Sequence, residues 1–324
     1  MFNWKGKNVF VTGGNGFLGS WLVNELVKKG ATVTCLIRDT VANSNLQLLG
    51  IVDNVNIVYG SLEDYYIIER AMNEFEAEVC FHLAAQAIVG IANKSPLSTF
   101  EANIKGTWNV LEACRQLGIK RTVVASSDKA YGEHEKLPYK EDFCLNGLTP
   151  YEASKSCTDI LARTYAKAYG LAIGVTRCGN IYGGGDLNMS RIIPGTILSV
   201  LKDESPIIRS DGTPIRDYIY VLDAVSAYIT LAEQLDRKEV AGQAFNFGTE
   251  TPVSVLELVK KIVAAAGKKI QPTVLNEAKN ELKAQYLDWS KAKRVLGWKP
   301  QHNLDSGLKE TIAWYKNYLK GKQS

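Results

Sequence analysis

Residues 8 to 29 read as strand, glycine turn and helix in direct succession. Asn8-Val-Phe-Val-Thr12 is a short apolar run, Gly13-Gly-Asn-Gly16-Phe-Leu-Gly19 follows it, and an amphipathic stretch continues to Lys29. A strand followed at once by a helix must cross over before the next strand can pair, so this opening commits the chain to a parallel sheet. The glycines stand three apart, GxxGxxG rather than GxGxxG. They let the turn close, let a backbone approach a pyrophosphate, and let the helix pack on the strand with its N-terminus facing the anion. This predicts a dinucleotide seat made by Gly13, Gly16, Phe17, Leu18 and Gly19.

The alternation persists for the first 180 residues, the pattern of a doubly wound α/β sheet of Rossmann type. The second strand, Ala31 to Ile37, is followed by Arg38 and Asp39, where an adenosine ribose lies in such folds. An Asp there accepts from both ribose hydroxyls and selects NAD; an Arg pairs with the 2′-phosphate of NADP. Arg38 comes first, which leans the reading slightly to NADP, and two solvated loop charges are the bland alternative. Val55 to Tyr59 leads to Ser61 and Leu62. Glu78 to His82 leads to Ala84, Ala85 and Gln86, small enough for a flat cofactor to pass, with His82 read as a packed strand residue. A long helix spans Pro96 to Leu117, and the fifth strand, Arg121 to Ser126, runs into Ser127-Asp128-Lys129, polar where ligands bind in an open sheet. Pro150-Tyr151-Glu152-Ala153-Ser154-Lys155 then opens a helix on which Tyr151 and Lys155 share a face one turn apart. A neighbouring cation favours phenolate, so Tyr151 is expected to titrate below its usual ~10, although such pairs also occur on ordinary amphipathic helices. The sixth strand is Ala172 to Arg177.

Beyond Asn180-Ile-Tyr-Gly-Gly-Gly-Asp186 the rhythm breaks into shorter segments: helices near 192 to 202, 221 to 234, 254 to 266 and 306 to 319, and an extended piece from 207 to 219. This predicts a dinucleotide-binding domain over 1–180 and a smaller C-terminal α/β substrate lobe over 181–324, with segments near 218–250 (Tyr218 to Gln234, Ala244 to Phe247) returning to the large sheet. With 324 residues, 46% of them hydrophobic, the chain can bury such a core. A net charge of +4 without a basic run argues against nucleic acid or membrane as partner. The six cysteines, with no CxxC pair, predict reduced and mostly buried thiols and no metal site. The start lacks an apolar leader segment, which points to a cytoplasmic location.

Four stretches in order, TGGNGFLG at 12, YEASK at 151, RCGNIYGGGD at 177 and IRDYIYVLDAV at 215, resemble the extended short-chain dehydrogenase/reductase family, and within it the nucleotide-sugar epimerases and 4,6-dehydratases. The resemblance covers nearly the whole chain. It implies Tyr151 as base on the sugar 4-hydroxyl, Lys155 on the nicotinamide ribose, Ser127 bonded to the same hydroxyl, and Asn180, Arg191 and Arg216 along the nucleotide diphosphate. It also implies a nucleotide-diphosphate sugar as ligand, a retained NAD or NADP, and a homodimer through the helices carrying residues 103–117 and 151–169. Many 4,6-dehydratases of the family carry Asp-Glu after the Ser; the Asp128-Lys129 of this chain resembles CDP-glucose 4,6-dehydratases, as does YLDWSKAKRVLGW near the C-terminus. Ser61 departs from the family, which usually has an Asp facing the adenine, and IRDYIYV is the general family form.

Oxidation at C4 acidifies the proton on C5. A dehydratase then needs a base for C5, an acid for the departing C6 hydroxyl, and hydride returned to C6. Asp128 suits the acid if its surroundings keep it neutral. Lys129 suits the base only if its ordinary ~10.4 is depressed; otherwise it steadies the enolate. The expected activity is therefore a 4,6-dehydratase, with a 4-epimerase or 4-reductase as the alternative, in which Asp128 and Lys129 form an ion-paired strand end beside the site.

Overall fold

Runs of Val, Ile, Phe and Thr make the central strands, and four of them, residues 79–82, 121–125, 173–178 and 244–247, are buried along their whole length, as a parallel sheet covered on both faces requires. The computed structural model describes residues 2–41, 43–278 and 282–321. In chain order the first part is β1 (Asn8–Thr12), α1 (Phe17–Lys28), β2 (Thr32–Ile37), α2 (Asn45–Leu48), β3 (Asn56–Tyr59), α3 (Tyr65–Glu74), β4 (Val79–His82), α4 (Val89–Lys94), α5 (Pro96–Phe100), α6 (Gly106–Gln116), β5 (Arg121–Ala125), α7 (Pro150–Tyr169) and β6 (Ile173–Cys178). It continues with β7 (Asn180–Tyr182), α8 (Ile192–Leu201), β8 (Ile207–Ile208), β9 (Ile215–Arg216), β10 (Tyr218–Tyr220), α9 (Val221–Glu233), β11 (Ala244–Phe247), β12 (Val253–Ser254), α10 (Val255–Ala265), β13 (Thr273–Val274), β14 (Ala284–Gln285) and α11 (Leu304–Gly321).

Seven strands form one parallel sheet in the order β11-β6-β5-β4-β1-β2-β3. The chain winds outward from β1 to β3, then returns to the other side of β1 and winds outward through β4, β5 and β6. That reversal opens a crevice at the C-terminal ends of β1 and β4, where doubly wound folds bind ligands. Alternation along β1 divides the core: Val9 and Val11 pack with α1 and α9, while Phe10 packs with α3 and α6. Beyond the large sheet, α8, α10 and α11 close over Tyr182, Ile193, Tyr220, Ile262, Leu308 and Tyr315.

Several sequence expectations shift in detail. The helix foreseen over Pro96 to Leu117 is α5 and α6 joined by a π-helical turn at Glu101–Lys105. The extended piece after Ile207 is three short strands, because the turn at Gly212 and Pro214 interrupt it. Ala244–Phe247 does return to the large sheet, beside β6. Tyr218–Tyr220 instead pairs with β7 in a separate two-stranded ladder, while α9 behind it packs against β5 and β6. All six cysteines are free thiols, four of them buried. Among the described residues no helix is long and apolar enough to cross a membrane.

The outer edge of β11 is closed by side chains. The Asn246 N–H donates to Glu141 Oε1 at 2.8 Å, and Lys291 Nζ donates to the Ala244 carbonyl at 2.9 Å. Charged groups on an exposed edge block pairing with a second chain.

Candidate active site and dinucleotide seat

The turn after β1 is built on close backbone approach. Gly13 has φ +75°, and a Cβ there would stand 2.8 Å from the Ala84 nitrogen; a Cβ on Gly19 would stand 2.0 Å from the Gly13 carbonyl oxygen. Gly16 starts α1 without a capping side chain, and the first turn carries no acidic residue. The N–H groups of Phe17, Leu18 and Gly19 have no intrahelical acceptor, so they are donors for an anion. The opposite wall is fixed by Thr12, whose Oγ1 accepts from the Ala84 N–H at 3.1 Å, and by Asn103, whose Oδ1 accepts from the Gln86 N–H at 2.6 Å. Asn103 Nδ2 also donates to Ser154 Oγ at 2.8 Å, tying the loop after β4 to α7. Leu62 is buried and its carbonyl accepts from Asn109 Nδ2 at 2.8 Å, while Ser61 Oγ donates to Glu63.

At the end of β2 a narrow cleft is lined by Asn15, Ile37, Asp39, Thr40, Tyr59 and neighbours. The Arg38 and Asp39 side chains are similarly exposed, 66 and 62%, and Arg38 Nε donates to Asp39 Oδ2 at 2.7 Å. These groups fit NAD: bare helical N–H groups for the pyrophosphate and a carboxylate at the ribose end. His82 has no ligand role. It is buried between Thr12 Oγ1 (2.8 Å from Nδ1) and Thr107 Oγ1 (3.1 Å from Nε2), and burial, with the Lys155 charge, pushes it down to about 3.

The groups foreseen as catalytic cluster where β5 ends and α7 begins. Ser127 caps a 3-10 turn, Asp128–Tyr131, accepting from the Lys129 N–H at 3.2 Å. Its hydroxyl donates to Asp128 Oδ1 at 3.0 Å, and it stands near enough to the Tyr151 phenol to favour the ionised form. Tyr151 is held on the first turn of α7 by Pro150 and by Glu152, whose Oε2 accepts from the Thr149 N–H at 3.1 Å. Asp128 is buried, and Lys129 Nζ lies 3.4 Å from its Oδ1 and 3.2 Å from Asn180 Oδ1. Lys155 is buried, with Nζ donating to the Ala125 carbonyl at 2.7 Å. Ser127, Asp128, Lys129, Tyr151 and Lys155 are thus placed on two adjoining elements.

One expectation is reversed. Lys155 does not bring Tyr151 below its usual range; burial pushes the phenol up to about 12, with the Ser127 hydroxyl and the Arg191 charge pulling the other way. Burial likewise brings Lys155 down to about 8. Lys155 directs its ammonium to the Ala125 carbonyl, and loss of water around the phenol sets the direction for Tyr151.

The three residues foreseen along a diphosphate are engaged within the protein. Arg191 Nη1 is 3.0 Å from Asp186 Oδ2. Arg216 is buried and donates to the Ile215 carbonyl at 2.8 Å; its charge pulls the Tyr139 phenol down, against burial and the Asp128 charge, which push it up. Asn180 donates through Nδ2 to the Asp217 carbonyl at 3.1 Å while its Oδ1 receives Lys129. Two buried groups near the site were not singled out from sequence. Asp217, in the IRD stretch, accepts from Thr249 N–H at 3.0 Å and is pushed up by burial and by the Asp128 charge; a polar residue in an apolar run was its signal. Gln285, whose Nε2 reaches the Asp128 carbonyl at 3.4 Å, had none, because 157 residues separate the partners.

Residues 9–248 match the NAD dependent epimerase/dehydratase family. The chain is 32% identical to a CDP-glucose 4,6-dehydratase of Salmonella typhimurium over 98% of its own length and 93% of that protein's. It is 33% identical to a putative UDP-glucose 4-epimerase of Methanocaldococcus jannaschii, covering 95% and 98%. A solved UDP-glucose 4-epimerase of Thermotoga maritima with UDP-glucose superposes with a TM-score of 0.89 at 31% identity, covering 96% of this chain and 99% of that one. The matched span carries both the glycine turn and the Ser127, Tyr151 and Lys155 cluster, and the protein is a member of the NAD dependent epimerase/dehydratase family.

Proposed function

We propose that the protein is a nucleotide-sugar 4,6-dehydratase, converting an NDP-hexose of the CDP-glucose type to the 4-keto-6-deoxy sugar with a retained NAD. The observation that carries the reading is the second acid-base pair beside the first: Asp128 accepts from Ser127 at 3.0 Å, and Lys129 Nζ stands 3.4 Å from the same carboxylate oxygen. Inversion at C4 requires only the Ser127, Tyr151 and Lys155 set; elimination across C5 and C6 requires a further acid and base.

Ser127 holds the C4 hydroxyl and Tyr151 takes its proton. Since burial opposes the phenolate, the cations facing Tyr151 must favour it, and Arg191 already acts in that sense. The chemistry a bound NAD would supply is that of a hydride acceptor at C4 and donor at C6. Lys129 takes the C5 proton or steadies the enolate, and Asp128 protonates the departing C6 hydroxyl. The cofactor is held by Gly13, Gly16, Phe17, Leu18, Gly19, Ser61, Leu62, Ala84, Ala85, Gln86, Tyr151 and Lys155. Asp39, which lines the ribose-end cleft, is the residue that favours NAD over NADP. Residues 1–180 form the dinucleotide domain, and 181–324 mainly hold the sugar nucleotide, with Arg191 and Arg216 toward its phosphates. The enzyme works as a cytoplasmic homodimer.

The test is incubation with CDP-, UDP- and GDP-glucose without added cofactor. A product lighter by one water supports the dehydratase; an unchanged mass with inverted C4 rejects it in favour of the 4-epimerase, the reading to which the UDP-glucose 4-epimerase relatives point.

A further inference from the structure

After β7 the chain runs through Gly183-Gly184-Gly185-Asp186, and three consecutive carbonyls of that stretch each receive a side chain from a different helix. Trp21 Nε1 of α1 donates to the Gly184 carbonyl at 2.7 Å, Asn45 Nδ2 of α2 donates to the Gly185 carbonyl at 2.8 Å, and the Tyr315 hydroxyl of α11 donates to the Asp186 carbonyl. The fit is close: Gly185 has φ +89°, and a Cβ there would stand 2.9 Å from Asn45 Oδ1. Asp186 is therefore fixed by α1 and α2 on one side and by α11 on the other. It is buried, and its carboxylate is engaged close by: Oδ1 accepts from the Asn188 N–H at 3.2 Å and Oδ2 from Arg191 Nη1 at 3.0 Å. A buried ion pair is a weak source of stability, because taking the charges out of water costs about as much as their attraction returns. Arg191 differs from its partner. Its side chain is 40% exposed, it is the N-cap residue of α8, and its charge reaches the Tyr151 phenol. The bond to Asp186 engages Nη1, one corner of a planar fork suited to phosphate.

We infer that Asp186 is a positioning residue that acts through Arg191, aiming the guanidinium at the diphosphate of a nucleotide sugar bound beside Tyr151. This rests on the nucleotide-sugar reading, in which Arg191 lies toward the phosphates, and it holds whether the sugar is dehydrated or inverted at C4. A long, half-exposed arginine must otherwise be ordered by the ligand each time it binds; the carboxylate orders it beforehand. Two turns join the anchor to the cation, the Asn188 N–H on Asp186 Oδ1 and the Arg191 N–H on the Asn188 carbonyl at 3.0 Å, so the backbone sets their separation. Trp21 lies on the helix that follows the glycine turn, and Asn45 sits between Ser44 and Leu46, which line the ribose-end cleft. The elements that form the dinucleotide seat thereby also fix the aim of Arg191.

The test is calorimetric binding of CDP, UDP and GDP to the wild-type protein, to Asp186→Asn, to Arg191→Met and to the double variant, with NAD binding measured alongside and thermal melting to identify a variant that does not fold. Asp186→Asn is expected to weaken the diphosphate that the wild type binds by about tenfold, with NAD binding unchanged. The double variant should bind no more weakly than Arg191→Met alone, because without the guanidinium the carboxylate has nothing to aim. If Asp186→Asn melts early, Asp186→Glu takes its place: it keeps the charge but displaces it by one methylene, and a positioning role predicts a similar loss. Unchanged affinity in a folded Asp186 variant overturns the inference, as do additive losses in the double variant and a loss of NAD binding in step with the diphosphate. Unfolding of both Asp186 variants overturns it as well, since the carboxylate is then a requirement of the fold. A wild-type protein that binds none of the three nucleotides overturns the nucleotide-sugar reading itself, an outcome seen before any variant is made.

Discussion

Asp128→Asn keeps the shape of the side chain and its bond to Ser127 but removes the proton that the proposed elimination needs. Dehydration should fall about 100-fold or more with dinucleotide binding unchanged, measured as product formation and as cofactor retained on purification; a near-normal rate rejects Asp128 as the acid. His82 gives a prediction of a different kind. It is neutral when folded, held near 3 by burial, against an ordinary value of 6.5. Above pH 6.5 neither the folded nor the unfolded chain binds this proton, so stability is complete there. As pH falls from 6.5 toward 3 the unfolded chain takes the proton first, and stability drops by up to about 1.4 kcal/mol per pH unit from this one group. His82→Gln removes that slope at the cost of a weaker fit between Thr12 and Thr107. Urea midpoints for the two proteins should therefore converge between pH 7 and pH 4.5, and a constant gap sinks the idea.

At the scale of elements, α7 carries both ends of the site: Tyr151 and Lys155 forward, and Asp159 one turn later. Asp159 is buried and holds Arg177 of β6 through two bonds of 2.7 and 2.8 Å, while Arg177 also donates to Tyr131 at 2.7 Å. The turn bearing Asp128 and Lys129 is thus clamped to the helix bearing Tyr151 by a buried ion pair, costly to break from one side. The opposite end of α7 depends on Glu152, which satisfies the N–H groups of Leu148 and Thr149 at 3.3 and 3.1 Å. Glu152→Ala should cost about 1 kcal/mol of stability, read as a fall in Tm of a few degrees, and should lower kcat as well by loosening the turn that holds Tyr151. A loss of Tm without any change in kcat separates the cap from the chemistry.

At the scale of the molecule, α5, α6 and α7 lie side by side and leave Leu97, Phe100, Trp108 and Ile160 uncovered, at 74, 36, 42 and 50% exposure. Core packing does not account for this face, and a second copy of the chain is the proposed cover. Trp108→Glu with Ile160→Glu should give a monomer by light scattering; a double variant of unchanged mass rules out this face as the interface. A polar recess lined by Lys140, Glu141, Asp288, Lys291 and Arg294 stands at the edge strand β11, and its charges close that edge.

Local pattern determined the doubly wound sheet, the glycine seat and the Tyr151 helix, because strand period, turn glycines and helical spacing act over a few residues. It also foretold that 244–247 returns to the sheet. Tertiary structure decided what depends on partners far apart in the chain. Lys129 meets Asn180 across 51 residues, and Gln285 meets Asp128 across 157. It also reversed the expected direction for Tyr151, since spacing shows where a cation stands on a helix but only the packed fold shows how completely water has been removed from around the phenol.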